Sequence, residues 1–200
     1  MEIILTIVVC ARNEELFLER CIRSLLAQET PIVYEIIVVN DASEDSTREV
    51  VENHLEPSIR LINLESKMGI GFASNIGVRA SRGRFVVRVD ADDYVSRHFV
   101  HFLVFGILET QAKALRCDYL TVNEDGEIID SVDAKARPIA CGIIYEKDSL
   151  AKVGLYKDHL QLWEDKELEE RFQALYKIQH LAVPLYRYRQ HAGNTSGGQQ

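Results

Sequence analysis

The chain of 200 residues carries 23 Lys and Arg against 31 Asp and Glu, a net charge of −8, and is 46% hydrophobic. That length and composition fit one globular domain with apolar material for a sizeable core. The acidic balance argues against a general nucleic-acid binder, which shows a basic face, but local charge can oppose net charge, so a phosphate site stays open.

Ile3–Val9 is a nearly continuous apolar run of strand length. It is far shorter than the ~20 residues of a membrane span. With Glu2 before it and Arg12-Asn13-Glu14 after it, it also lacks the positive start of a signal peptide. Leu18, Cys21, Ile22, Leu25 and Leu26 then recur at helical spacing, with Asn13 as the expected N-cap. Glu35–Val39 reads as a second strand. Thr47, Val50, Val51, His54 and Leu55 form a second helical stripe, capped by Ser43 or Asp45. Ile59–Leu64 is a third strand, Phe72, Ala73, Ile76 and Ala80 the narrow face of a third helix, and Arg84–Val89 a fourth strand. Strands buried on both sides that alternate with helices predict an α/β fold, a mostly parallel sheet with helices on both faces. Ligands of such sheets bind at the carboxyl ends of the strands. Here those ends are Ala11–Glu14, Asn40–Ser43, Lys67–Gly71 and Asp90–Asp93.

The second half is less regular. His98–Glu109 reads as a helix, and Ala114–Val122 and Glu127–Val132 as strands around the turn Asn123-Glu124-Asp125-Gly126. Ile139–Tyr145 and Leu181–Tyr188 are strand-like, with a helix near Trp163–Ile178 between them. The composition of Gly193–Gln200 is that of a flexible tail. Cys10, Cys21, Cys117 and Cys141 show neither a CxxC pair nor a metal spacing. They read as reduced, mostly buried thiols in a reducing compartment. The expected location is the cytoplasm, with a membrane surface still within reach.

Five segments carry candidate chemistry. In Asp90-Ala91-Asp92-Asp93 an apolar strand ends in three carboxylates. Asp90 and Asp92 share a side in an extended chain, and Mg²⁺ or Mn²⁺ would offset their repulsion. The bland alternative is a solvated loop, with Asp93 capping the next helix. Asn40–Thr47 either sets Asp41 against a base or ribose or merely caps a helix. Gly69–Gly77 opens a helix after a strand, but its glycine spacing and position do not match a dinucleotide fingerprint; close approach of backbone to a ligand remains open. In Trp163-Glu164-Asp165, Asp165 lies on one helical stripe with Leu168, Phe172 and Leu175, a carboxylate heading a buried face at a helix N-terminus. Arg187, Arg189 and His191 are placed to meet phosphates or a metal, or are ordinary surface residues.

Taken together, in order, these motifs resemble the family 2 glycosyltransferases of the GT-A fold over nearly the whole chain. Val8-Val9-Cys10-Ala11-Arg12-Asn13-Glu14-Glu15 is similar to the opening motif of that family's nucleotide pocket. Asn40–Thr47 is similar to D-D-x-S-x-D-x-T, which implies that Asp41 contacts the base, usually uracil. Gly69, Asn75 and the stretch to Phe85 resemble the approach to the metal motif. Asp90-Ala91-Asp92 matches DxD, which implies a metal on Asp92 and a ribose near Asp90. Glu164-Asp165 with Leu168 and Arg171 resembles E-D-x-x-L-x-x-R, which implies Asp165 as catalytic base and Trp163 and Glu164 beside the acceptor. His191 with Asn194 and Ser196 is similar to a late motif whose histidine, in some members, ligates the metal. Two departures are Cys10, where proline is common, and Ser74, where arginine often precedes the Asn matching Asn75.

The resemblance implies one GT-A domain over residues 1–200, of the Rossmann-like three-layer kind. About 1–95 would bind the nucleotide-sugar, about 96–192 the acceptor, and 193–200 would trail. It implies an inverting, divalent-cation-dependent (Mn or Mg) hexosyltransferase. The donor would be a nucleotide-diphospho-sugar, most simply a UDP-sugar. The acceptor hydroxyl would belong to a glycan, a lipid-linked or a small molecule, in cell-surface polysaccharide or glycoconjugate synthesis. The Q-x-x-R-W motif of processive synthases is not found, which favours single-sugar transfer. The short second half leaves little chain for an acceptor lid, so a partner or a second subunit, as in a homodimer, would complete the site. The rival readings are a non-catalytic nucleotide-sugar-binding scaffold and a sugar-phosphate nucleotidyltransferase.

Overall fold

The four apolar runs of the first half become parallel strands β1 (Leu5–Ala11), β2 (Tyr34–Asn40), β3 (Ile59–Asn63) and β4 (Phe85–Asp90). The computed structural model describes residues 2–158, 160 and 163–193. The order is β3-β2-β1-β4, so the chain winds outward from β1 to β3 and then returns to the other side of β1. That reversal opens a crevice beyond the carboxyl ends of β1 and β4, where sheets of this kind take ligands. The register pairs Ala11 with Asn40 and Cys10 with Asp90. The three strands therefore finish level, and the segments that follow them meet.

Strand side chains alternate between faces, and each face is covered. Leu5, Ile7 and Val9 of β1 pack with α1 (Leu18–Leu26), α2 (Thr47–Glu52) and α4 (Phe99–Thr110) through Leu18, Ile22, Val51, Phe99 and Leu103. On the opposite face, Ile37 and Val39 pack against Ala73 of α3 (Ile70–Ala80). Val86 packs there with α5 (Lys147–Val153) and α6 (Glu164–Gln173) through Leu150, Leu168 and Phe172. The three layers agree with the expected fold class.

The sheet continues past β4 with β5 (Tyr94–Val95), β6 (Ala114–Val122), β7 (Ile128–Val132), β8 (Ile143–Glu146) and β9 (Ile178–Arg189). Its order there is β4-β8-β6-β9-β5, with β7 beside β6. Of these pairings β6–β9 is parallel and the others are antiparallel. Among the described residues no helix is long and apolar enough to cross a membrane.

Several local expectations need correction. Asn13 has φ 55° and lies outside α1, which starts at Leu18, so it caps nothing. α2 stops at Glu52, and Leu55 is exposed. The buried face of α3 is Gly71, Ala73, Ser74, Asn75, Gly77 and Val78, while Phe72 and Ile76 are half-buried. The strand expected over Ile139–Tyr145 is Ile143–Glu146, and the helix near Trp163–Ile178 is Glu164–Gln173. Leu175 thus falls beyond α6 and is exposed.

Two buried features tie β1 to its neighbours. The carboxylate of Glu35, 1% exposed, accepts hydrogen bonds from Thr6 Oγ1, Arg60 Nη1, and Arg82 N, Nε and Nη2. Burial opposes its charge, but these donors outweigh burial and hold its pKa below the usual value. Gly83 runs so close to β1 that an added Cβ would stand 2.6 Å from Thr6 N and 2.7 Å from the Leu5 carbonyl carbon. Neither is a side-chain tip that can swing away. Gly83→Ala is expected to cost about 3 kcal/mol or more. Equilibrium urea unfolding checks this, and an unchanged midpoint would show that β1 and the Gly83 turn do not approach so closely.

Candidate active site

β4 ends at Asp90 and turns, so Asp90, Asp92 and Asp93 each offer a carboxylate oxygen, all within 4.8 Å of one another. The three are held differently. Asp93 is buried and accepts from Tyr186 Oη (2.7 Å) and Arg189 N (2.7 Å). It does not cap α4, which starts at Phe99 with no side-chain cap. Asp92 Oδ2 lies 3.0 Å from His191 Nε2, and the His191 ring packs on Phe17 with centroids 4.6 Å apart. Arg189 Nε donates to the Asp92 carbonyl (2.7 Å) and Tyr186 Oη accepts from Asp90 N (3.1 Å), so β9 fixes the turn's backbone.

Crowding and burial act together on this turn. Burial, then Asp92 and Asp90, push the Asp93 carboxyl well above its ordinary range. Burial, then Asp90, raise Asp92 against the pull of His191. Carboxylates this close disfavour one another's charge unless a cation sits among them. The donor set fits a hard divalent ion: carboxylate oxygens of one turn, with an imidazole beside Asp92.

The ends of β1 and β2 build the adjoining wall. Arg12 donates from Nη1 to the Asp41 (2.8 Å) and Ala42 (2.5 Å) carbonyls and from Nη2 to Glu44 (2.9 Å). Asn13 N donates to Ser43 Oγ and its Oδ1 accepts from Glu44 N, which locks the two segments together. Asn13 and Ala42 both hold left-handed backbone (φ 55° and 54°), the kind of strain that collects at binding sites. Asp41 is 4% exposed and accepts from Met68 N (2.7 Å) and Gly69 N (2.9 Å), so it shapes the entry to α3. Ala11 and Ala91 are buried at the ends of β1 and β4.

Glu14 is half-buried, and burial, then Asp92, Asp90 and Asp45, push its pKa from 4.5 to about 7. A carboxyl raised on folding costs nothing below its unfolded pKa, and the cost grows as pH rises to the folded value. Glu14→Gln is therefore expected to match wild type at pH 4.5 and to gain about 1 kcal/mol by pH 8, a figure discounted for solvent screening. Thermal unfolding across that range checks it. A constant difference between the two proteins would remove the titration.

At the head of α6, Trp163 is 62% exposed with φ 65°. The buried carboxylate is Glu164, not Asp165: Glu164 Oε1 accepts from Arg88 Nη1 (3.1 Å), and Asp165 is half-buried. Arg88 Nε in turn lies 3.3 Å from Asp90 Oδ1. Asn75 is committed elsewhere. Its amide bonds Tyr156 O, Asp158 Oδ1 and Tyr156 N, so it braces the 156–158 loop against α3. Cys10 and Ser74, the two departures from the family pattern, face each other at 3.4 Å. Arg187 bonds nearby carbonyls and Arg189 holds the Asp92 turn, so both have structural work. Asn194 and Ser196 lie outside the described residues.

The structure thus joins Asp92 with His191, Asp41 with Gly69, and Asp90 with Glu164 through Arg88. Sequence reasoning passed over Arg88, Tyr186 and Phe17. The one signal was Arg88 itself, a charge inside the apolar strand Phe85–Asp90, because a buried charge must be paired.

A profile of the family described as "Glycosyl transferase family 2" matches residues 6–135. Glycosyltransferase GlyA of Streptococcus pneumoniae is 32% identical over 121 residues, covering 60% of this chain and 17% of that protein. The uncharacterized glycosyltransferase EpsJ of Bacillus subtilis is 34% identical over 124 residues, 61% of this chain and 36% of its own length. Among solved structures, S. aureus TarS 1-349 in complex with UDP-GlcNAc superposes with a TM-score of 0.82 at 22% identity, covering 100% of this chain and 62% of that one. At that identity the likeness is one of fold. The chain spans about a sixth to a third of the two curated relatives and under two thirds of TarS 1-349.

Proposed function

The chain belongs to glycosyl transferase family 2, and from that premise we propose that it transfers a sugar, with inversion, from a nucleotide-diphospho-sugar to an acceptor hydroxyl. The observation that carries this reading is the meeting of Asp92 and His191 with Asp90 at the crevice between β1 and β4, next to the wall built by Arg12–Glu14 and Asp41. A UDP-sugar is the preferred donor; the S. aureus TarS structure of this fold was solved with UDP-GlcNAc. Membership of the family supports the reaction class, and the proposed acceptor is a glycan, a lipid-linked or a small molecule.

In this reading Asp41, Asn13 and Asp90 orient the nucleoside. Asp92 and His191 hold Mn²⁺ or Mg²⁺, which supplies Lewis-acid stabilisation of charge on the departing diphosphate. Asp165 takes the proton from the acceptor hydroxyl as it attacks the anomeric carbon from the face opposite the leaving group. Trp163, exposed beside it, offers an apolar face to a sugar ring.

The test is thermal stability against a panel of nucleoside diphosphates with and without Mn²⁺. Saturation at about 100 times Kd adds ~2.7 kcal/mol. A shift that needs both UDP and Mn²⁺ supports the reading and directs the search for sugar and acceptor. No shift with any nucleotide, in folded protein, rejects it. Binding without turnover across many acceptors would leave a nucleotide-sugar-binding scaffold.

A further inference from the structure

β4 reads Phe85-Val86-Val87-Arg88-Val89-Asp90, an apolar strand with one cation near its end. Residues two apart share a face, so Val86, Arg88 and Asp90 point to the α3, α5 and α6 side of the sheet. The Arg88 side chain is 5% exposed, and its guanidinium carbon lies 5.5 Å from the centre of the Tyr156 ring. Glu164 Oε1 takes Nη1 at 3.1 Å and so anchors one end of the guanidinium. The other end faces Asp90 Oδ1 at 3.3 Å, yet neither Arg88 Nε nor Asp90 Oδ1 has a hydrogen-bond partner. Both atoms are buried, and the pair is held by charge alone.

We propose that Arg88 is a positioning residue that holds Asp90 out of a divalent cation's coordination shell, leaving Asp92 and His191 as the protein ligands. Both oxygens of Asp93 are taken by Tyr186 and Arg189, and Asp90 Oδ1 is paired with Arg88 at 3.3 Å. Of the turn's three carboxylates, Asp92 is the one whose partner is an imidazole, itself a ligand type for such an ion. Two protein ligands bind Mn²⁺ or Mg²⁺ weakly, because such ions need further oxygens from water or substrate phosphates. In this chain, then, metal affinity depends on a bound diphosphate. The proposal rests on the transferase reading only for that last consequence; the engagement of Asp90 stands apart from it.

The test is Mn²⁺ titration without nucleotide, by electron paramagnetic resonance, on wild type, R88M, D90N and R88M/D90N. R88M frees Asp90 to join Asp92 and is expected to tighten Mn²⁺ binding about tenfold, while D90N alone changes it by less than about threefold. In R88M/D90N the gain disappears. R88K, which keeps the cation, stays near wild type. A merely structural arginine would lose affinity or leave it unchanged when removed, so folded R88M with unchanged or weaker Mn²⁺ binding overturns the proposal. So does a gain of R88M/D90N over D90N, which would be long-range charge rather than release of Asp90. If R88M does not fold, R88M/E164Q removes both members of the buried pair, which is milder than leaving one charge alone, and D90N is added to that background in the same titration. A parallel wild-type titration with UDP reads the transferase reading separately: no UDP-dependent gain rejects that reading and leaves the four-way comparison intact.

Discussion

Asp165→Asn is expected to lower sugar transfer by ~10²–10⁴-fold, the usual contribution of a general base, while affinity for UDP with Mn²⁺ moves by less than about threefold. The separation follows from where Asp165 stands. It occupies the first turn of α6, half-buried, and the residue before it is pinned to β4 through Arg88. The carboxylate is thus carried by a fixed helix end and favoured there by the helix dipole. Asn keeps the size and polarity of the side chain and removes only its basicity. Glu164→Gln is the informative neighbour. It weakens the pin rather than the base, so it should reduce turnover less and stability more. The readout is single-turnover transfer beside equilibrium donor binding. If Asp165→Asn loses donor affinity and turnover together, Asp165 belongs to the donor pocket and the base must be sought elsewhere.

The nucleotide half of the fold was the legible half. β1, β2 and β4 are mostly apolar on both faces because helices cover both, the pattern of a buried parallel strand, and their short length favours strand over helix. Leu18, Cys21, Ile22 and Leu25 are all buried, as their spacing required. What escaped were elements whose identity is tertiary. β5 is two residues long and exists because β9 pairs with it. α5 begins directly after β8, with no break in the sequence to mark it. The site was legible as a set of positions and less so as a set of jobs. Asp41 was singled out for ligand contact, yet in the folded chain both of its oxygens hold the Met68 and Gly69 amides. Asn75 likewise carries a motif position and spends its amide on the 156–158 loop. Local sequence names polar residues near strand ends, but it cannot say which backbone groups will arrive there needing partners. On the stripe of α6 the error was one residue: a helix that begins at Glu164 turns Glu164 inward and Asp165 part-way out.

Asp92→Asn is expected to abolish the Mn²⁺-dependent part of nucleotide binding and to cut transfer by ~10³-fold or more, as loss of charge stabilisation at a leaving group does. The backbone should survive the change. Arg189 Nε holds the Asp92 carbonyl and Tyr186 Oη holds the Asp90 amide, and neither depends on the Asp92 side chain. Stability should move in the opposite direction from function. Asp92 is raised by burial and then by Asp90, so its charged form is disfavoured in the folded chain. That penalty is present above its folded pKa and fades as pH falls toward the unfolded value. Removing the charge is therefore expected to stabilise the free protein at pH 8 and to have little effect at pH 4. A dead variant that is more stable at neutral pH, and only there, would mark Asp92 as a residue kept for its ligand rather than for the fold. A variant destabilised at every pH would instead make Asp92, with His191, part of the scaffold. His191→Ala separates the cases further. It removes the imidazole partner while leaving the carboxylate crowding in place, so it should weaken Mn²⁺-dependent nucleotide binding without the stability gain.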